Sequence, residues 1–584
     1  MQHRCTAKIF IAIGIAILLA GAVLPNTLSW ADYPKEYAIP TNQQAPPVTA
    51  DIGVPAYNLG STLKPMTSQS GIIQYNLFLP LTMIDPYTNQ LAPLLARTWQ
   101  SSPDGLTWIF YLSEEVYWYR YDPATQQATK LRPVVAADVV FGVQRWCDPR
   151  FSPNGFIIRR FVVGCDLVAS TSDDQVTDKL VHGPTIGVTA IDTHSIEFQL
   201  TRPAEFFPTM GYYLTALPQL EIQANPTTWA DFGAIVTNGP YFVHEYVPNV
   251  SAMLVRNQAF PTALRMGGNV DVVNLTAYNT YIDIYLAYLA NAVDTAGVSP
   301  ADLQYVLNHP IYASETHPRF EPVTIFFAYA HEKPPFDNVH VRRAFSAIVD
   351  REELIEQYLD GYGLPMIHFT APGIPFAPPI GEIGVGFDPT YAQNEIAAAG
   401  FPNCEGLPPI EIFTLSPDAG IAVAQALAAR AETYLGCDPD LFTVNQGGDL
   451  DFLNDLEGYR PNIWLIGWGP DYLDADNYVG DYLGCINSHG SGLERPCTEL
   501  DELIEQASVE QDPEVRQVLY TQIEEGFFGP DGEYPIIPLF VRISYTLAKP
   551  WYSGPFDTFV WGLGLFYWDY HSIDMAAKLA ALAP

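Results

Sequence analysis

The apolar run Ile9 to Ala20, preceded by Arg4 and Lys8, constrains this chain more than any other feature, because it decides where the rest must fold. About a dozen apolar residues are short for a bilayer span, and the charged-then-apolar order is that of a secretory signal. Ser29 and Ala31 are small enough for cleavage after Ala31, giving a signal peptide over 1–31. Ala20 and Ala22 offer an earlier cut, and an uncleaved amino-terminal anchor is the alternative. No later stretch approaches about 18 uninterrupted apolar residues, so the remainder is expected to be soluble in a periplasmic or other extracytoplasmic space. Cys5 precedes the run, is badly placed for a lipid anchor and is discarded with the signal.

Six cysteines remain, and an exported chain permits their oxidation. Many connectivities are possible. Their grouping along the chain favours three local bridges, Cys147 to Cys165, Cys404 to Cys437 and Cys485 to Cys497, with a structural and not a redox role. A zinc site at Cys485, His489 and Cys497 lacks a fourth ligand and closely spaced pairs. No metal or cofactor is expected.

At 584 residues the chain exceeds what one hydrophobic core usually supports, so two or three domains are expected. The 65 acidic side chains against 28 basic ones give a formal charge of −37, which repels a phosphate backbone and excludes nucleic acid as a partner. Abundant Pro, Gly, Tyr and Phe describe a loop-rich, aromatic-rich globule.

Residues 32–56, with Pro34, Pro40, Pro46, Pro47 and Pro55, read as an extended lead-in. Alternation predicts strands over 106–112 and 196–200, and helical spacing of Val139, Val140, Val143 and Trp146 predicts a helix over 136–146. A turn at Asn238-Gly239-Pro240 precedes short strands near 241–243 and 253–255. Residues 323–330 read as a strand that leaves one body of the protein before Pro334 and Pro335. A helix follows Asp337, and Asp350 with Glu353 has the spacing of a capping box for a second. Further helices are expected near 419–435, 498–509 and 514–526. Tyr534 to Ser544 reads as a returning strand, with Pro535 and Pro538 arguing against an uninterrupted central position.

The chain has no Gly-rich phosphate loop, no paired-histidine zinc helix and no Gly-x-Ser-x-Gly elbow. Abundant carboxylates do not by themselves place two across a reacting bond. His331 beside Glu332 suits a surface or hinge role. A secreted hydrolase is the remote alternative, and no catalytic residue is assigned.

Four segments in order share a pattern: Val135 to Arg145; Asn238 to Val243 with Arg256-Asn257; Pro334 to Phe345 ending in Asp350 to Ile355; and Gly467 to Asn477. Through them, the chain from about 57 to 570 resembles the extracytoplasmic solute-binding proteins of ABC importers, family 5, which includes dipeptide and oligopeptide receptors. Val135 replaces a frequent threonine and removes a good helix cap. Asp474-Ala475 departs from a frequent Asp-Pro pair.

The resemblance implies an α/β, two-lobed periplasmic-binding-protein-like fold of class II, enlarged to the three-domain cluster C type. Domain I would be discontinuous over 57–76, 234–330 and 546–584, with domain II over 77–233 and domain III over 331–545. It implies a monomeric receptor without a chemical step, closing by hinges near 326–333 and 540–548 and delivering cargo to ABC permease subunits. A rigid cleft is the alternative. A short peptide is the expected cargo, its ammonium received by Asp471 within Trp468-Gly469-Pro470-Asp471-Tyr472. An oligosaccharide stacked on Trp468, Tyr472, Tyr478, Trp561, Tyr567 and Trp568 is the alternative, followed by another small solute.

Overall fold

The structure is a computed structural model and describes residues 46–60, 63–64, 71–151, 156–172, 174–359, 361–415, 419–447, 460–486, 492–558 and 566–583. The expected signal over 1–31 lies outside them. No helix among the described residues is long and apolar enough to cross a membrane.

Among the described residues the largest sheet has 11 strands. Across it lie Tyr241–Val247, Ser251–Arg256, Val272–Tyr278, Thr49–Pro55, Thr295–Gly297, Ile536–Ala548, Thr316–Tyr329, Ile463–Trp468, Ile410–Thr414 and Phe442–Gln446, with Gly363–Pro365 also paired to Ile536–Ala548. The lead-in therefore ends inside the sheet: Thr49–Pro55 runs parallel to Val272–Tyr278 and buries Ala50, Ile52 and Val54 on alternate positions. Its prolines stand at or outside the strand ends, where a missing N–H costs no ladder bond.

The two longest strands, Thr316–Tyr329 and Ile536–Ala548, pair antiparallel from Thr316 opposite Leu547 to Ala328 opposite Ile536. The last residues of Ile536–Ala548 pair with Thr295–Gly297 and the last residues of Thr316–Tyr329 pair with Ile463–Trp468, so the two strands carry the chain between the two halves of the sheet in opposite directions. The register shifts between Phe320 and Thr324 and again between Ile325 and Phe326. The second shift falls at Pro538, so this central strand is interrupted there, in keeping with the expectation from its missing N–H. The ladder skips Leu539, whose carbonyl accepts instead from Met366, while the Pro538 carbonyl accepts from Arg351.

Buried apolar side chains divide in the same way. One cluster draws on residues 50–275 and 548–573, whereas two others are built chiefly from 326–541. The first lobe adds a four-stranded sheet, in order Ala96–Ser101, Thr107–Leu112, Ser195–Gln199 and Val188–Ala190, covered by helix Ala136–Cys147. The second is built on helices Val339–Ala347, Arg351–Tyr358, Ala419–Leu435, Glu499–Val509 and Pro513–Phe528. Asp350 accepts the Glu353 N–H as its spacing predicts. Val135 offers no side-chain cap, and Asp138 compensates by reaching back to the Val135 N–H at 3.0 Å while binding Arg132 through both oxygens. The three expected disulfides are all present. The one group of metal-type ligands among the described residues, Cys485, Cys497 and Asp501, contains such a bridge, so its sulfurs are not free thiolates.

Candidate functional site

Strand Ile463–Trp468 ends where the sequence turns polar, and the seven residues Gly469 to Ala475 form an ordered loop leading into the short helix Asp476–Val479. Asn477 pins it. Its side-chain oxygen accepts the Asp471 N–H at 2.9 Å and the Trp468 indole N–H at 3.2 Å, and its amide donates to Asp481 at 2.8 Å. Four carboxylates crowd this loop and the start of the next segment. Three have arginine partners: Asp474 is bound through both oxygens by Arg516 at 2.6 and 2.8 Å, Asp476 by Arg202 at 2.9 Å, and Asp481 by Arg160. Asp471 differs. It forms no ion pair with a described residue, and its nearest side-chain donor is the Tyr213 hydroxyl at 3.3 Å. Burial pushes its carboxyl up to about 6, against the opposing pull of Tyr213, Asn477 and the more distant Arg160 charge.

Arg160, Arg202 and Tyr213 come from the first lobe, so the loop is held from across the molecule. Tyr472 makes the deepest crossing. Among the described residues of 325–541 it is the one in the first lobe's apolar cluster, stacked on Phe206 at 4.3 Å and edge-on to Phe161 at 5.4 Å. Its hydroxyl lies 2.8 Å from Asp476 and 2.9 Å from Asp481, which joins the two interlobe ion pairs into one network.

Asp471, Trp468 and Gly469 are partly exposed along this interface. The other expected site residues are interior. Tyr472 is engaged as described. Tyr478 donates to the Pro322 carbonyl at 2.6 Å and has no exposed surface, and Tyr567 and Trp568 are fully buried in the first lobe. Their ring faces are taken up by protein, which leaves no open platform for a sugar at these positions. Trp561 lies outside the described residues. Sequence reasoning missed Arg160, Arg202, Phe206 and Tyr213. The hydrogen bonds from three of them span 258 to 321 residues, and nothing local in one sequence encodes such a pairing.

The family model described as bacterial extracellular solute-binding proteins, family 5 middle, matches residues 90–490, which include the Trp468 to Asp481 loop. The chain is 24% identical over 472 residues to the periplasmic oligopeptide-binding protein OppA of Escherichia coli K12, covering 79% of this chain and 81% of that one. It is 23% identical over 498 residues to the probable deoxycholate-binding periplasmic protein YgiS of the same organism, covering 82% and 85%. The solved murein tripeptide-binding protein MppA of E. coli superposes with a TM-score of 0.70 at 20% identity, covering 91% of this chain and 99% of that one, and shares the mixed α/β periplasmic-binding-protein fold. With more than half of its length matched by the family model, the chain belongs to the bacterial extracellular solute-binding proteins of family 5.

Proposed function

We propose that the protein is an exported receptor that captures a short peptide between its lobes and delivers it to an ABC importer, without a chemical step of its own. Membership of an extracellular solute-binding family supports the location and the role, and the OppA and MppA names support peptide as the cargo. The observation that carries the reading is Asp471. Of four neighbouring carboxylates it is the one without a cation, and it sits where both lobes reach it. A peptide ammonium would complete it with a charge-assisted hydrogen bond, as arginines complete the other three. Trp468 and Gly469 border the same opening.

Domain I is assigned to 57–76, 234–330 and 546–584, domain II to 77–233 and domain III to 331–545, in a class II arrangement. The extension of the sheet through Thr49–Pro55 adds the end of the lead-in to domain I. The two sheet-crossing strands serve as the hinge of a monomer, and two connections restrict rotation more than one would. Residues 326–329 and all of 540–548 lie in strands, so bending is assigned instead to the register break at Phe320 to Thr324. Closure is favoured by a ligand that contacts both lobes only when they meet.

Calorimetry with tripeptides and their N-acetylated forms tests the reading. Free tripeptides bind saturably, and acetylation, which removes the ammonium, abolishes or strongly weakens binding. Equal affinity for both forms removes Asp471 as the amine anchor, and a lack of binding by a broad peptide set removes peptide as the cargo.

A further inference from the structure

Opposite Asp471 the first lobe presents a continuous patch of aromatic rings. Tyr75 lies on helix Gly71–Leu77, Trp146 on helix Ala136–Cys147, and Tyr212 and Tyr213 on the 3-10 turn Phe207–Tyr213. Ring centroids are 5.5 Å apart for Tyr75 and Tyr212, 5.4 Å for Tyr212 and Trp146, 5.1 Å for Trp146 and Tyr213, and 5.3 Å for the two adjacent tyrosines. The turn is pressed onto Thr82. A Cβ at Gly211 would come within 2.1 Å of the Thr82 carbonyl oxygen, so this close approach requires glycine. The Cys147–Cys165 disulfide ties down the helix end next to Trp146.

Two of these rings, Trp146 and Tyr213, are buried, and the other two form the partly open edge of the patch. Tyr75 and Tyr212 both keep uncovered surface. Desolvation nevertheless raises both phenols, Tyr212 to about 12 and Tyr75 further, as expected of rings lining a cleft and not the outer surface. The Trp146 indole N–H is buried and has no hydrogen-bond partner. All three phenols stay neutral at physiological pH, so the charged group facing the patch is Asp471, reached through the Tyr213 hydroxyl.

We propose that Tyr75, Trp146, Tyr212 and Tyr213 form the pocket for the first side chain of the bound peptide and give the receptor a preference for an aromatic or large apolar residue there. The proposal rests on the peptide-receptor reading with Asp471 as amine anchor. An ammonium held at Asp471 places the adjoining side chain within a few ångströms of Tyr213, against rings that interact favourably with another ring edge-on or offset. Burying a large apolar side chain there adds roughly tenfold to hundredfold in affinity over glycine. An acidic first residue gains nothing, because it brings a second carboxylate next to Asp471.

Calorimetry with Phe-Ala-Ala, Gly-Ala-Ala and Asp-Ala-Ala on the full mature protein tests this. Phe-Ala-Ala is expected to bind at least about tenfold tighter than the other two. Tyr212→Ala should erase that difference, and Tyr212→Phe should retain it. Tyr75→Ala serves as a second probe should Tyr212→Ala melt at lower temperature than the parent. Equal affinities for the three peptides overturn the aromatic pocket while peptide capture stands. A preference that survives both alanine variants overturns the assignment to these rings. Failure of all three peptides to bind overturns both readings.

Discussion

At the scale of single residues, Asp471 carries a cost that its proposed role explains. Its carboxyl is held at about 6 by burial, so ionising it at neutral pH is harder in the folded protein than in the unfolded chain. A folded value above the unfolded one contributes stability that is present in full below about pH 4 and is lost as the pH rises through about 6. Ligand binding has the opposite sign, because an ammonium needs the ionised carboxylate. Affinity for a free peptide is therefore expected to be highest near pH 7, to fall by up to tenfold per unit below about pH 6, and to fall again above about pH 8, where the peptide ammonium loses its proton. Asp471→Asn should weaken peptide binding about a hundredfold and raise the melting temperature of the ligand-free protein at pH 8. Titration calorimetry across pH and thermal melts check both parts. A variant that binds peptide like the parent defeats the anchor, and one that melts lower at pH 8 defeats the account of its burial.

At the scale of elements, helix Ala136–Cys147 shows how a lost signal is replaced. Asp138 does more than stand in for the absent hydroxyl cap of Val135. It also accepts from the Trp118 indole at 2.9 Å and from Arg132, whose other bond goes to Glu221, so one buried carboxylate joins a strand, a helix start and the helix Gln219–Ala224. Asp138→Ala strips a buried ion pair of one partner and is expected to cost about 3–5 kcal/mol in urea unfolding. Loss of a cap alone would cost about 1 kcal/mol, and a measured value that small would mean that the network contributes little. The helix span was legible from its apolar spacing because each helical turn repeats locally. Its cap was not, since the replacement comes from a side chain inside the helix acting backwards. The break at Pro538 was legible from its missing N–H, but how the ladder resumes beyond it depends on the register of the partner strand.

At the scale of the whole molecule, the lobes are joined by charge as well as by shape. Arg160 with Asp481 and Arg202 with Asp476 meet at the Tyr472 hydroxyl, and the Tyr472 ring lies on Phe206. These contacts run from protein group to protein group across the lobes, so the closed form is expected to be populated to some extent without peptide. The arginines are partly exposed, and salt therefore screens them, with a Debye length falling to about 3 Å at 1 M. Small-angle scattering of the ligand-free protein should show a larger radius of gyration in about 1 M salt than in about 50 mM. The Arg160→Gln/Arg202→Gln variant should show the larger radius at both. Saturating peptide should restore compaction in the variant at an unchanged monomer mass. A radius insensitive to salt and to the variant defeats the ionic contribution to closure, and a doubled mass defeats the monomer.

The sequence by itself determined several strands and helices and the three local disulfides, because each depends on side chains within a few turns or one loop of each other. The motif in the loop around Asp471 was one of four that were enough to point to the family, although the strand Ile463–Trp468 that precedes it was not read from the sequence. Only the tertiary structure decided which carboxylates of that loop are neutralised, because their arginines lie in another lobe hundreds of residues away. It likewise decided that Tyr472, Tyr478, Tyr567 and Trp568 are interior. Aromatic side chains satisfy a core and a binding face equally well, and only the packing of distant segments against them settles which one they join.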